Sequence, residues 1–347
     1  MPDIFRSEND TMGKEAYEAG VCIDMEPYLD EIPNFDDYYP LENIEKVKNQ
    51  FGEMVIWDPF AVRASGYYYN KDHFAEAGFD GPPQTFADFF DLCQELKAEG
   101  FTPVAMMTGD NGWTMHFWYA AMMAAHSEEG LSYAMNPQTT VWDSAPFRWA
   151  TENVKMLINE YANPDAIGAT YDMVERQMYA ERVSMIGNGP WMASNYSNPD
   201  RVGSADFVEH IGYAPMPGGF YFGYADKIGH GPMVAPNGEE RELGGMLFWG
   251  TELQPQIIEK NVTELGWFVS AYDYPEDIMD QQPLVSELQM LIQEWDATAL
   301  PWFYDTWTNA VMADGMTRNM DLYAQDEITL DEYVENVAEF AEAVGEE

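Results

Sequence analysis

Apolar and polar residues alternate most legibly between Ser65 and Phe101. Ser65–Tyr69 is aromatic-rich, with Tyr67 and Tyr69 on one face and Tyr68 on the other, which predicts a strand. A helical turn begins at Asp72, and Pro82-Pro83 ends it, since proline lacks the N–H that a helix needs. Thr85 with Asp88 three residues on reads as a capping box. Phe86, Phe89, Phe90, Cys93 and Leu96 then recur at helical spacing. Gly100 is a stop signal, and Phe101–Met107 reads as the next buried strand.

The same reasoning extends along the chain. Asp3–Phe5 is a short strand with the loop Arg6–Asp10 at its carboxyl end, followed by a helix over Gly13–Gly20 and an amphipathic turn at Met25–Glu31. Phe35–Asn49 is acidic and then helical, expected at the surface, and Val55–Tyr69 holds two strand segments joined around Pro59. Thr108–Trp118 is a loop entering a helix that runs to Ala125. Helices follow over Thr151–Tyr161 and Tyr171–Glu181, then a strand over Arg182–Ile186 and a sharp turn, Gly187–Pro190, into Trp191. A strand over His210–Pro215, helices over Leu284–Trp295 and Ile328–Val344, and a Thr329/Glu332 capping box complete the pattern. Between the last two helices lies an aromatic cluster, Pro301–Tyr304 with Trp307.

At 347 residues, 46% of them hydrophobic, the chain can bury a large core and is expected to split into two domains. Its charge is extreme: 61 acidic against 16 basic residues, formally −45. A nucleic-acid backbone or an anionic membrane would be repelled over most of such a surface. The acidity fits a well-solvated surface or, alternatively, a saline habitat. Of the two cysteines, Cys93 sits on the apolar face of its helix and is expected to be a buried free thiol rather than half of a disulfide. No run of about 18 apolar residues occurs, and the first residues lack the basic-then-apolar pattern of an export signal.

Motifs for nucleophilic, zinc-dependent, phosphate-binding or dinucleotide chemistry are missing from the sequence, and 5 scattered histidines offer no metal-ligand spacing. Neither a metal nor a cofactor is therefore expected. So many carboxylates make any chosen acid pair uninformative for glycoside hydrolysis. The positive signal is aromatic: 11 Trp, 21 Tyr and 19 Phe, several of them where a loop enters a helix. Flat rings suit the apolar C–H faces of sugars, while amides and carboxylates at their edges suit the hydroxyl rims.

The block YYNKDHFAEAGFDGPPQTFADFFDLCQELKAEGFTPVA, with PDIF (Pro2–Phe5), GNGPWMASNY (Gly187–Tyr196) and YAPMPG (Tyr213–Gly218), resembles the family 1 extracellular solute-binding proteins. These are carbohydrate receptors of ABC importers. The resemblance implies an α/β, two-lobed periplasmic-binding-protein-like fold (type II), with a ligand cleft between lobes and several hinge crossings. The lobes would be 1–109 plus about 229–290, and 110–228 plus about 291–347; residues 244–280 depart from the family pattern. It further implies a monomeric, non-enzymatic protein, extracellular or periplasmic and anchored as a lipoprotein in its full-length form. That protein captures a mono- or oligosaccharide and delivers it to permease subunits. PDIF is an internal block in the family, so the first strand and helix of the first lobe are expected to be missing here. A glycoside hydrolase and a binder of a cationic solute such as a polyamine are the alternatives.

Trp191 is the leading ligand-contact candidate, because the glycines before it let the backbone approach whatever lies above. Trp113, placed by the resemblance at a crossing between lobes, is a second stacking candidate; a core tryptophan opening its helix is the competing account. Trp302 belongs to the late aromatic cluster. Glu8 and Asn9 lie at a strand's carboxyl end, where ligands of open α/β sheets collect, or else in a solvated loop. Arg63 either donates to ligand hydroxyls or forms a salt bridge. Asp110, Asn188 and Tyr67 complete the set.

Overall fold

Eight strands occur among the described residues of the computed structural model: β1 (Ile4–Ser7), β2 (Gly66–Asn70), β3 (Thr102–Ala105), β4 (Val183–Asn188), β5 (Ile211–Ala214), β6 (Phe220–Gly223), β7 (Gly231–Val234) and β8 (Thr298–Pro301). The structure describes residues 2–7, 10–59, 64–136, 142–223, 228–265, 272–279, 281–301 and 310–345. Two compact units form, one from residues 1–63 and 223–283, the other from 64–222 and 284–347. This differs from the expected break at 109/110. Residues 64–109 belong to the second unit because β2 and β3 both hydrogen-bond to β4, far along the chain.

In the first unit β1 pairs antiparallel with β7, Ile4 opposite Val234 and Ser7 opposite Gly231. Its core gathers Met25, Leu29, Ile32, Phe35, Tyr39, Ile44, Met54, Trp57, Val234, Met246 and Leu253. The segment Phe35–Asn49, expected at the surface, instead buries Phe35, Ile44 and Val47. Pro40 divides it into helices Phe35–Tyr38 and Leu41–Phe51, so both can turn an apolar side towards Trp57. The strand expected before Pro59 does not form. Met54–Trp57 is fully buried yet outside any ladder, held by single bonds from Met25 N–H to the Met54 carbonyl and from Trp57 N–H to the Pro232 carbonyl. The described part of residues 244–280 is mainly helical: Glu239–Gly250, Pro255–Leu265 and Glu276–Met279, with a tight turn at Thr251–Leu253.

The second unit is built on a four-stranded sheet of order β3-β4-β2-β5. β4 runs parallel to β3 and antiparallel to β2, which in turn runs antiparallel to β5. The three tyrosines of β2 alternate faces as their spacing requires, and both faces are covered. On one, Tyr67 lies 5.5 Å from Trp118, which stacks on Phe89 at 4.9 Å. On the other, Tyr68 stacks on Tyr213 at 3.9 Å, with Tyr196 edge-on at 4.6 Å. Phe89 comes from the helix Phe86–Ala98, whose N-cap Thr85 accepts the Asp88 N–H and donates its hydroxyl to the Asp88 carboxylate. Cys93 is buried there as a free thiol. The C-terminal helix Leu330–Gly345 opens on the reciprocal Thr329–Glu332 box. Among the described residues no helix is long and apolar enough to cross a membrane.

Two buried histidines give the second unit an acid sensitivity. Burial pulls His116 from 6.5 down to about 3 and His73 to about 4. Between those values and 6.5 the unfolded chain binds protons that the folded chain refuses, so stability falls as pH drops through that window. For His116, fully buried, the slope is about 1.4 kcal/mol per pH unit. Unfolding free energies between pH 6 and pH 4 should therefore be less pH-dependent in His116→Gln than in the parent by about that amount. Equal slopes would show that His116 is already protonated in the fold.

Candidate functional site

Because β3 and β4 run in parallel, their carboxyl ends open at the same sheet edge, where ligands of open α/β sheets bind. Beyond β3 the chain turns through Asp110–Gly112 into the helix Trp113–His126. Beyond β4 it turns at Gly189 into the short helical turn Pro190–Met192, which carries Trp191. A third segment joins them, the helix Tyr171–Tyr179. Three half-buried rings meet here: Trp113 lies 5.0 Å from Tyr171 and 6.1 Å from Trp191.

Polar groups fix Tyr171 and the turn that carries Trp191. Asp110, exposed, accepts the Tyr171 N–H at 2.8 Å, so a carboxylate caps the positive end of that helix. Asn188 is fully buried. Its amide donates to the Tyr171 hydroxyl at 2.8 Å and accepts the Gly189 N–H at 2.8 Å. Tyr68 donates to the Gly189 carbonyl at 3.0 Å, and Tyr213 to the Asn188 carbonyl at 3.2 Å. Gly189 is required by contact rather than conformation: a Cβ there would sit 2.0 Å from the Trp191 ring. Glu175 accepts from Tyr179 at 2.6 Å, and burial holds its carboxyl above the usual 4.5. Asp110 and Glu175 thus stand as carboxylate acceptors beside Tyr171.

A family model for bacterial extracellular solute-binding proteins matches residues 1–242. The chain belongs to this family. An ABC transporter extracellular-binding protein of Pyrococcus horikoshii is 25% identical over 221 residues, 60% of this chain and 48% of the relative. A multiple sugar-binding protein of Streptococcus mutans is 39% identical over 61 residues, 18% of this chain and 14% of the relative. The chain thus spans about half, or less, of the length of these curated relatives. A solved chitin oligosaccharide binding protein superposes with a TM-score of 0.82 at 19% identity, over 99% of this chain and 83% of its own, which establishes a shared fold.

In this solute-binding protein the structure brings together Trp191, Trp113 and Asp110 of the residues singled out by sequence. Asn188 is beside them but behind the surface: it is 0% exposed, and both ends of its amide are engaged by Tyr171 and Gly189. It positions the site rather than lining it. Tyr67, also 0% exposed, is a core residue packed on Trp118, since β2 is an interior strand with both faces covered. Glu8, Asn9, Arg63 and Trp302 lie outside the described residues. Sequence reasoning missed Tyr171. Its signal was an aromatic at the first position of a predicted helix, the same placement that drew attention to Trp113.

Gly189→Ala tests the close approach in the site. The added methyl meets the far edge of a half-buried ring, so the ring should swing away while the fold persists. The near-ultraviolet circular dichroism of the tryptophans should change, with less than about 2 kcal/mol lost in stability. An unchanged spectrum would mean that Trp191 does not cover Gly189.

Proposed function

We propose that this chain is the extracellular receptor of an ABC importer, capturing a neutral mono- or oligosaccharide and delivering it to permease subunits. The observation that carries the reading is the Trp113–Tyr171–Trp191 cluster, with the carboxylates of Asp110 and Glu175 as acceptors beside Tyr171. Rings that are half-buried and held by a buried amide give a sugar face its contact area at little entropy cost. Asp110 and Glu175 suit a ligand rich in hydroxyl donors and disfavour an anion. The sugar-binding relatives support the same class. The carboxylates also admit a cationic solute such as a polyamine, since aromatic faces attract cations as well.

Thermal unfolding against chitin oligosaccharides, maltose, raffinose, spermidine and glycerol phosphate separates these outcomes. A sugar at about 100 times its dissociation constant should add about 2.7 kcal/mol, and be recovered unaltered. Flat curves for every sugar with a response to spermidine would replace the carbohydrate by a cation; new reducing ends would make the protein an enzyme.

Trp191→Ala should then abolish the sugar response while costing less than the 3–5 kcal/mol, roughly, of a core aromatic truncation. Retained affinity with a collapsed melting temperature would assign Trp191 to the core instead.

A further inference from the structure

The helix that carries Trp113 is entered through three successive left-handed residues, Asp110 (φ 49°), Asn111 (φ 66°) and Gly112 (φ 62°). Two of the three bear a Cβ, and such a run persists only where its surroundings over-determine it. On one side the turn is held by Gly109 N–H to the Ala169 carbonyl at 2.9 Å, and by the Asp110–Tyr171 bond described above.

On the other side stands Thr317. It is the last residue of a π-helical segment, Val311–Thr317, a widened form that recurs at functional sites. Thr317 is 2% exposed, and its hydroxyl donates to the Asn111 carbonyl at 3.0 Å. With its proton committed there, the oxygen accepts from His116 Nε2 at 3.1 Å, which places the imidazole proton on Nε2. His116 follows Trp113 by three residues on the same helix face. A Cβ on Gly112 would come within 2.7 Å of Thr317 Cγ2, so the segment also presses directly on the turn.

We infer that Thr317 and His116 form a positioning pair for the aromatic site, clamping the left-handed turn so that Trp113 and Asp110 are presented in one geometry. Neither touches the ligand; they act through Asn111 and Gly112. The inference rests on the carbohydrate reading of that site only for its effect on affinity.

The test uses two matched comparisons, the parent against Thr317→Val, and Thr317→Ser against Thr317→Ala, each pair differing by the hydroxyl. Hydrogen exchange is followed in peptides covering residues 109–113, and affinity is measured for chitin oligosaccharide, maltose and raffinose. Loss of the hydroxyl should speed local exchange about tenfold and weaken the sugar that binds about tenfold, the scale of one buried hydrogen bond. Thr317→Ser should keep both near the parent. If Thr317→Val does not fold, the Ser–Ala pair still isolates the hydroxyl. Exchange that is the same with and without the hydroxyl in the folded pairs overturns the inference. If the parent binds none of the sugars, the carbohydrate reading fails, and the exchange comparison alone decides the clamp.

Discussion

Strand β4 is hydrogen-bonded along both edges, parallel to β3 and antiparallel to β2, and every ring of the site is placed by that pairing. The parallel half of the arrangement puts two carboxyl ends at one sheet edge. The antiparallel half brings the start of β2 opposite Asn188, with Gly66 as its register partner. A one-residue slip would turn Asn188 to the other face, and its bonds to Tyr171 and Gly189 would be lost together. Register in the sheet and geometry in the site are therefore one constraint.

Where the ladder ends, tyrosine hydroxyls take over. Tyr68 and Tyr213, stacked with planes 4° apart, donate to the carbonyls of Gly189, just past the last strand pair of β4, and of Asn188, the last paired residue. Buried carbonyls at such a turn are costly if left unmet, and water would have to follow the chain inwards to satisfy them. Meeting them with rigid side chains keeps the turn dry and leaves Trp191 little freedom. The same economy appears across the site, where Asn188 serves Tyr171 with its donor and Gly189 with its acceptor. A platform fixed before its ligand arrives loses less entropy on binding than one that must be assembled.

What the sequence disclosed follows from how local each feature is. The Thr85 and Thr329 caps, the tyrosine strand and the helix Trp113–His126 depend on neighbours within a turn or two, and they stand as expected. The division of the chain depends on β2 and β3 finding β4 about 80 to 120 residues later, which no local pattern encodes. Met54–Trp57 has the composition of a strand but has no ladder partner; burial alone does not make one. The site divides in the same way. Trp191 was legible from the glycines before it, whereas Asn188 and Tyr67 were legible only as polar or aromatic residues nearby. Whether a residue lines a surface or stands behind it is decided by covering elements distant in sequence, such as Tyr171 and Trp118.

The acidity bears on ligand class more than on fold. With 16 basic residues against 61 acidic ones, cations are scarce, and several are already committed to surface pairs: Lys48 to Glu26, Lys97 to Glu160, Lys155 to Asp326, Arg148 to both Asp143 and Asp331. Such exposed pairs contribute about 1 kcal/mol or less each and leave the net charge almost untouched. The uncompensated field then extends over the site, beyond the local effect of Asp110 and Glu175. An anionic solute would have to work against it at every stage of approach, whereas a neutral sugar is indifferent to the long-range part and feels only the acceptors at contact. The half-buried Glu175 is a special case within this field. Burial opposes its charge and raises its pKa, while the Tyr179 hydroxyl at 2.6 Å, the Tyr171 hydroxyl and the charge of Arg176 all favour the ionised form.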